Sequence, residues 1–219
     1  MAIATNLLQI KSTLPEHVTL VAVSKTKPVS DLMEAYNAGQ RIFGENKIQE
    51  MAEKWEQMPK DIQWHMIGHV QTNKVKFMAP FVSFIHGVDS LKLLQEINKQ
   101  ALKNNRIIDC LLQIHIAEEE TKFGLDEEEL ATLLSSSEFH EMKNIRIVGL
   151  MGMATFTENK EQIKKEFTHL KTIFDIILSK DAQQCVSTLS MGMSGDYQLA
   201  IECGSTMVRI GSSIFGGRN

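Results

Sequence analysis

Apolar runs rich in β-branched residues alternate along the chain with amphipathic helical runs. Short apolar runs of this kind are typical of buried strands, whereas an apolar stripe with helical spacing is typical of a helix packed on a core. Eight strand-like runs occur, and a helical pattern separates most of them from the next. The predicted strands span residues 18–25, 41–45, 64–68, 84–88, 110–116, 145–153, 187–191 and 206–211.

This alternation predicts an α/β fold. Eight repeats within 219 residues, with no linker or break in composition, predict a single (β/α)8 TIM-type barrel that spans residues 1–219 as one domain. Pro28 is expected to open the first helix after a strand, and Asp89 is expected to cap the helix after the fourth strand. The predicted helices span residues 29–39, 47–58, 72–78, 89–104, 126–136, 158–178 and 196–203.

Composition and charge exclude several classes of function. The chain has 23 Lys and Arg against 27 Asp and Glu, a net charge of −4, and it has no basic block, so nucleic-acid binding is not expected. No apolar run is long enough to cross a membrane, and the first residues lack the basic region of a signal peptide. His65 and His69 are four residues apart, but strand-like residues separate them, so no zinc pair is predicted.

The three cysteines, Cys110, Cys185 and Cys203, are widely spaced and odd in number. They form neither a metal-ligand pattern nor a plausible disulfide framework. We expect reduced, mostly buried thiols and therefore a cytoplasmic protein.

Lys25 ends the first predicted strand, where active sites of such barrels lie. A lysine at this position either reaches into solvent or is held in a pocket, and base rates for buried charge favour solvent. In a pocket the pKa of the amine falls, and the amine can form a Schiff base with a carbonyl.

Glycines and hydroxyl residues follow the seventh and eighth predicted strands, where barrel phosphate sites recur. Gly211, Ser212 and Ser213 come directly after the eighth strand, and Ser194 follows the seventh, where it can act as the N-cap of the next helix while its hydroxyl faces an anion. Each segment alone is consistent with ordinary turn chemistry. Because two of them meet at the same place, phosphate binding is the better interpretation.

Arg209 lies in the middle of the eighth predicted strand, and alternation places Met207, Arg209 and Gly211 on one face of it. A buried arginine is costly unless it meets an acceptor. The acceptor is either an internal carboxylate or the ring nitrogen of a cofactor. Together with Lys25 and the phosphate segments, the second alternative describes a site for pyridoxal 5′-phosphate (PLP).

The chain closely resembles the pyridoxal-phosphate homeostasis protein family, which is related to the N-terminal barrel of bacterial alanine racemase, a fold-type III PLP-binding barrel. The resemblance covers essentially the whole chain. The motifs that carry it occupy residues 22–28, 43–46, 64–68, 71–74, 122–124, 149–151, 193–196 and 204–211.

The resemblance implies a role for each matching residue. Lys25 would hold PLP as a Schiff base and Arg209 would lie against the pyridine nitrogen. Ser194, Gly211 and Ser212 would hold the phosphate. Asn46 would line the pocket, although capping of the helix that begins at residue 47 is an equal alternative. The remaining motif residues are three lysines that are either pocket residues or solvated rim charges, namely Lys27, Lys74 and Lys122, and two methionines expected in the barrel interior, Met151 and Met153.

Two functions follow from this resemblance. The first is a PLP-binding protein of intracellular PLP homeostasis, which stores the cofactor or delivers it to PLP-dependent apoenzymes without turning over amino acids. The alternative is an amino-acid racemase, which needs a second acid–base group opposite Lys25. In alanine racemase a separate domain supplies a tyrosine for this role, whereas this sequence ends at Asn219 after the eighth strand and offers only Tyr197 as a substitute. An arginine beside the ring nitrogen also disfavours its protonation and weakens the electron sink. We therefore expect a binding protein and no enzyme.

Overall fold

The computed structural model describes residues 2–119, 121–180 and 185–217. Eight parallel strands pair in chain order, and the first strand pairs with the eighth to close the barrel. This confirms the predicted (β/α)8 fold. The strands are β1 Thr19–Val23, β2 Ile42–Glu45, β3 Gln63–Met66, β4 Phe84–Val88, β5 Ile108–Gln113, β6 Ile145–Met151, β7 Thr188–Met193 and β8 Met207–Ile210.

Helices connect successive strands and pack around the outside of the barrel. Each predicted helix has a counterpart, and three further helices in the described residues were not predicted: Ala2–Thr13, Ser137–Glu141 and Ser212–Phe215. The helices are α1 Ala2–Thr13, α2 Val29–Asn37, α3 Ile48–Gln57, a 3₁₀ turn at Thr72–Lys74, α4 Val75–Met78, α5 Leu91–Lys103, α6 Glu127–Ser135, α7 Ser137–Glu141, α8 Lys160–Lys180, α9 Tyr197–Glu202 and α10 Ser212–Phe215.

Several predicted boundaries were wrong by two or three residues. The first strand ends at Val23, so Lys25 lies in the turn after β1 and not within the strand. The predicted cap Asp89 was also wrong, because Ser90 is the N-cap of α5 and its hydroxyl accepts the N–H of Leu93 at 3.2 Å. Local sequence places the ends of strands and helices only to within a few residues.

Side chains alternate between two hydrophobic regions along each strand. In β4, Ile85 joins the large core between the strands and the helices, whereas Phe84 packs on a smaller cluster on the opposite face, inside the barrel. The interior cluster contains Met151, and Met153 packs against it, as predicted for these methionines. Side chains therefore fill this part of the barrel interior.

Candidate functional site

A cavity of about 750 Å³ opens at the C-terminal ends of the strands. The loops after several different strands contribute to its wall, because the closed barrel brings these loops to one end. All six residues that the sequence singled out for the cofactor line this one cavity: Lys25, Asn46, Ser194, Arg209, Gly211 and Ser212. The geometry thus brings together residues that are up to 187 positions apart, from Lys25 to Ser212.

Lys25 is half-buried in the cavity wall, two residues after the end of β1. The residue that follows it, Thr26, has a positive φ of 64°, which is uncommon for a residue with a side chain. The turn around Lys25 is therefore in a conformation that its surroundings must stabilise.

A buried polar network provides that stabilisation. The ammonium of Lys54, on α3, donates to the carbonyl of Ser24 and to Oε1 of Glu45, each at 2.7 Å. It also donates to Glu50 Oε1 at 2.7 Å, and the same oxygen accepts the N–H of Thr26 at 2.5 Å. The backbone on both sides of Lys25 is thus tied to Lys54 or to its partner.

Glu45 is fully buried at the end of β2, and the hydroxyl of Ser24 donates to its Oε1 at 2.6 Å. Burial raises the pKa of Glu45, and the neighbouring Lys54 ammonium opposes that rise. Its second carboxylate oxygen, Oε2, has no hydrogen-bond partner among the described residues. Desolvation of these groups is costly, and the attraction between Lys54 and the two carboxylates, together with the contacts around Ser24, offsets that cost.

Arg209 projects from β8 into the barrel and is 3% exposed. Its Nη1 donates to Ser190 Oγ at 2.5 Å and its Nη2 donates to the carbonyl of Gly152 at 3.1 Å. Burial lowers the pKa of Arg209 to about 10, and the charge of Asp196 opposes this shift. Among the described residues no carboxylate lies within ion-pair distance of Arg209, so the internal ion pair considered from the sequence is absent there.

Ser194 joins the loops that follow β7 and β8. Its hydroxyl oxygen accepts the N–H of Gly211 at 3.2 Å and the N–H of Ser213 at 3.4 Å. The prediction that Ser194 is an N-cap was wrong, because Asp196 occupies that position before α9. The N–H of Ser212, at the first position of α10, has no acceptor within its own helix.

Gly211 permits the close approach of these two loops to β1. A Cβ atom at this position would lie 3.1 Å from the carbonyl oxygen of Val23 and 3.2 Å from its Cβ. Both distances are tighter than ordinary contact, so a side chain here would displace the loop. The requirement for glycine at this position therefore comes from packing against β1.

The other candidates from the sequence divide into two groups. Asn46 lines the cavity and does not cap α3, because Lys47 occupies the N-cap position. Lys27 and Lys122 also line the cavity: Lys27 donates to the carbonyl of Gly217 at 2.9 Å, and Lys122 lies 3.4 Å from a carboxylate oxygen of Glu119. Lys74 is exposed and does not contribute to the cavity wall.

Several cavity residues were missed by sequence reasoning. Asp196 was considered only as the start of a helix, yet it lines the cavity, and burial raises the pKa of its carboxyl. His69 stacks on Phe123 at the mouth, with ring centroids 4.2 Å apart. The sequence signal that could have identified His69 and Phe123 was their position after the third and fifth strands, since the loops after barrel strands converge. Neither tyrosine lines the cavity: Tyr36 donates to Asp61 outside the barrel, and Tyr197 packs against the outer core.

Two further findings concern metals and membranes. Within residues 2–119, 121–180 and 185–217, no cluster of histidine, cysteine, aspartate and glutamate could hold a metal ion. His65 and His69 lie apart, one inside the barrel and the other at the cavity mouth. No helix in the described part of the chain is both long and apolar enough to span a membrane.

The barrel and its lysine-bearing cavity define a protein of the alanine racemase N-terminal type. The family model described as alanine racemase, N-terminal domain, matches residues 1–219. The pyridoxal phosphate homeostasis protein of Aquifex aeolicus is 40% identical over 200 residues, which cover 91% of this chain and 86% of the relative. That of Escherichia coli K12 is 36% identical over 238 residues, which cover 99% and 97%. The chain belongs to the pyridoxal phosphate homeostasis protein family.

Solved structures support this relationship. PipY of Synechococcus elongatus PCC7942 superposes with a TM-score of 0.92 without PLP and 0.89 with PLP bound, at 33% identity, over 98% of this chain and 100% of PipY. The alanine racemase of Clostridium difficile 630 in complex with cycloserine superposes with a TM-score of 0.81 at 16% identity, over 99% of this chain and 60% of the racemase. At 16% identity, the match to the racemase shows a shared fold alone.

Proposed function

We propose that this protein binds pyridoxal 5′-phosphate in the barrel cavity, as a Schiff base on Lys25, and serves in PLP storage and delivery. The observation that carries the proposal is the convergence of Lys25, Arg209 and the Ser194–Gly211 contact on one cavity wall. PLP bound to PipY, a relative that matches 98% of this chain, supports it independently.

The residues present fit each part of the cofactor. Lys25 offers an amine for the aldehyde, and the condensation forms a C=N bond with loss of water. Ser212 offers a backbone N–H group and a hydroxyl to the phosphate, and the Ser194 hydroxyl still has its proton to donate. Gly211, whose N–H is bound to Ser194 Oγ, leaves room for the phosphate because it has no side chain. A guanidinium has five N–H donors, so Arg209 keeps donors for a ring nitrogen after its contacts with Ser190 and Gly152. Asn46 completes the wall on the side of β2.

The same residues favour binding over catalysis. Bound PLP supplies an aldehyde for reversible imine formation and a pyridine ring able to withdraw electrons. Arg209, a permanent donor, would keep the ring nitrogen unprotonated and the ring a weak electron sink. Neither Tyr36 nor Tyr197 lines the cavity, so the acid–base group that a racemase mechanism uses on its second face has no tyrosine counterpart there. Racemisation, the alternative function, would need another acid–base group in that position.

A protein that delivers PLP needs a recipient in the same compartment of the cell. A Schiff base exchanges with other amines, so a PLP-dependent apoenzyme with an active-site lysine is the natural recipient. The cavity is open at the C-terminal end of the barrel, which gives such an exchange a route. We assign the protein to the cytoplasm, because Cys110 and Cys203 form no disulfide within the described residues.

Borohydride reduction followed by peptide mapping tests the proposal directly. Purified protein saturated with PLP should be yellow, and reduction should fix the pyridoxyl group on the peptide that contains Lys25. Lys25→Ala should abolish the adduct and the visible absorption. Lys27→Ala is the matched control, because Lys27 lines the same cavity and should leave labelling unchanged. An adduct found mainly on another lysine of the unmodified protein would overturn the assignment.

A further inference from the structure

A chain of buried hydrogen bonds extends from Arg209 across the barrel interior. Arg209 contacts Ser190 Oγ on β7 at 2.5 Å, and Ser190 Oγ lies 3.0 Å from Nδ1 of His86 on β4. Nε2 of His86 lies 2.9 Å from Nδ1 of His65 on β3. None of the four side chains is more than 3% exposed, and Arg209 alone among them lines the cavity.

The arginine determines the direction of the whole chain. A guanidinium only donates, so the oxygen of Ser190 accepts from Arg209 and its single proton goes to Nδ1 of His86. His86 then carries its proton on Nε2 and donates it to Nδ1 of His65. This direction leaves only the Nε2–H of His65 without a partner among the described hydrogen bonds, whereas the opposite direction would leave both the Ser190 proton and the Nε2 lone pair of His65 without one. The structure therefore favours the Nε2–H tautomer for both histidines.

Burial and packing hold these histidines in the neutral form that the chain requires. Burial lowers the pKa of His65 to about 3, and burial, reinforced by the charge of Arg209, lowers the pKa of His86 well below 6.5. The ring of Phe84 stacks on His65 at a centroid distance of 4.9 Å and meets His86 edge-on at 5.3 Å. The ring planes are therefore set by the barrel interior, independently of any ligand.

We propose that His86 and His65, acting through Ser190, are positioning residues that aim Arg209 at the ring nitrogen of the cofactor. With His86 as acceptor, the Ser190 hydroxyl keeps its lone pairs turned toward Arg209, and one edge of the guanidinium is held by the protein. The remaining N–H groups are then directed to the cavity. The inference rests on the proposed function, because it needs PLP bound in this cavity.

A ring analogue of PLP in which a C–H group replaces the pyridine nitrogen separates positioning from general stability. Wild-type protein should bind PLP more tightly than this analogue, because only PLP accepts a hydrogen bond from Arg209. Ser190→Ala and His86→Leu should each weaken PLP binding by about tenfold and leave binding of the analogue within about twofold. His65→Leu should act in the same direction, and His65→Asn, whose amide oxygen can still accept from His86, should restore the preference.

The outcomes distinguish this inference from the function on which it rests. Wild-type protein that binds neither ligand overturns the proposed function and the inference with it. Wild-type protein that binds both equally, or variants that weaken both equally, overturn the inference and leave PLP binding intact. Nitrogen-15 NMR of the ligand-free wild type provides a measurement that needs no variant: both histidines should carry their proton on Nε2. A proton on Nδ1 of either ring would contradict the proposed direction of these hydrogen bonds and overturn the inference.

Discussion

The ammonium of Lys54 lies 2.7 Å from Oε1 of Glu45, and both side chains are buried where β1 gives way to the turn that carries Lys25. Lys54 is nine residues from Glu45 in sequence and thirty from Ser24, whose carbonyl it also contacts. A buried ion pair of this kind adds little net stability by itself, because desolvation offsets the attraction. Its contacts with the Lys25 turn indicate that it serves to shape that turn.

Lys54→Met should lower the free energy of unfolding by about 3–5 kcal/mol, because removal of one partner leaves the buried charge of Glu45 uncompensated. Urea unfolding measures this loss. Lys47→Met is the control, since Lys47 is exposed at the N-cap of the same helix and its replacement should cost no more than about 0.5 kcal/mol. The double variant Glu45→Gln/Lys54→Met should recover part of the loss. A loss below about 1 kcal/mol for Lys54→Met alone would contradict the structural role of the pair.

Acid should destabilise the protein through its buried histidines. The pKa of His65 is about 3 in the folded protein and 6.5, the ordinary value for histidine, in the unfolded chain. Between pH 3 and pH 6.5 the unfolded chain therefore binds more protons than the folded protein. The contribution of neutral His65 to the free energy of unfolding is therefore fully present above pH 6.5. It is lost as the pH falls toward 3, at about 1.4 kcal/mol per pH unit. Between pH 7 and pH 5, the free energy of unfolding should fall by about 2 kcal/mol less for His65→Asn than for wild type. Parallel pH profiles for the two proteins would contradict the neutral state of His65.

Ser194→Ala should weaken PLP binding about ten- to a hundredfold, because a hydrogen bond to a charged group contributes about 1.5–3 kcal/mol. The variant also removes the acceptor of the Gly211 and Ser213 N–H groups, which loosens the junction between the two loops. Titration of the ligand-free protein with PLP measures the change. Ser213→Ala is the control, because it keeps the backbone N–H and alters only an exposed hydroxyl. Equal affinity of Ser194→Ala and wild type would place the phosphate elsewhere.

Amino acids should not exchange their Cα proton on the loaded protein. Each enantiomer is incubated with the PLP-loaded protein in deuterated water, and loss of the Cα proton signal is followed by NMR. Exchange should stay at the level of free PLP, because Arg209 disfavours protonation of the ring and no tyrosine lines the cavity. Robust interconversion of enantiomers that Lys25→Ala abolishes would establish the racemase alternative.

The sequence by itself determined the architecture, because apolar strand runs and amphipathic helices are properties of neighbouring residues. Once the barrel was predicted, the rule that loops after strands meet at one end brought Lys25, Arg209 and Gly211 to the same region without coordinates. Alternation along the eighth strand also placed Met207 and Arg209 on one face, and the structure shows that this face points into the barrel. Local patterns were less informative at element ends, and they misassigned the caps at Asp89 and Ser194.

Only the tertiary structure decided what surrounds those residues. The contact between His86 and Ser190 joins positions 104 residues apart, and its existence depends on the register of β4, β5, β6 and β7 around the barrel. The role of Lys54 also depends on the fold. In the sequence it is one of several charges on an amphipathic helix, whereas in the structure it is the buried ion-pair partner of Glu45. A hydrogen bond tolerates a variation of only a few tenths of an ångström in the donor–acceptor distance. Between segments far apart in sequence, this distance is set by packing of the whole barrel.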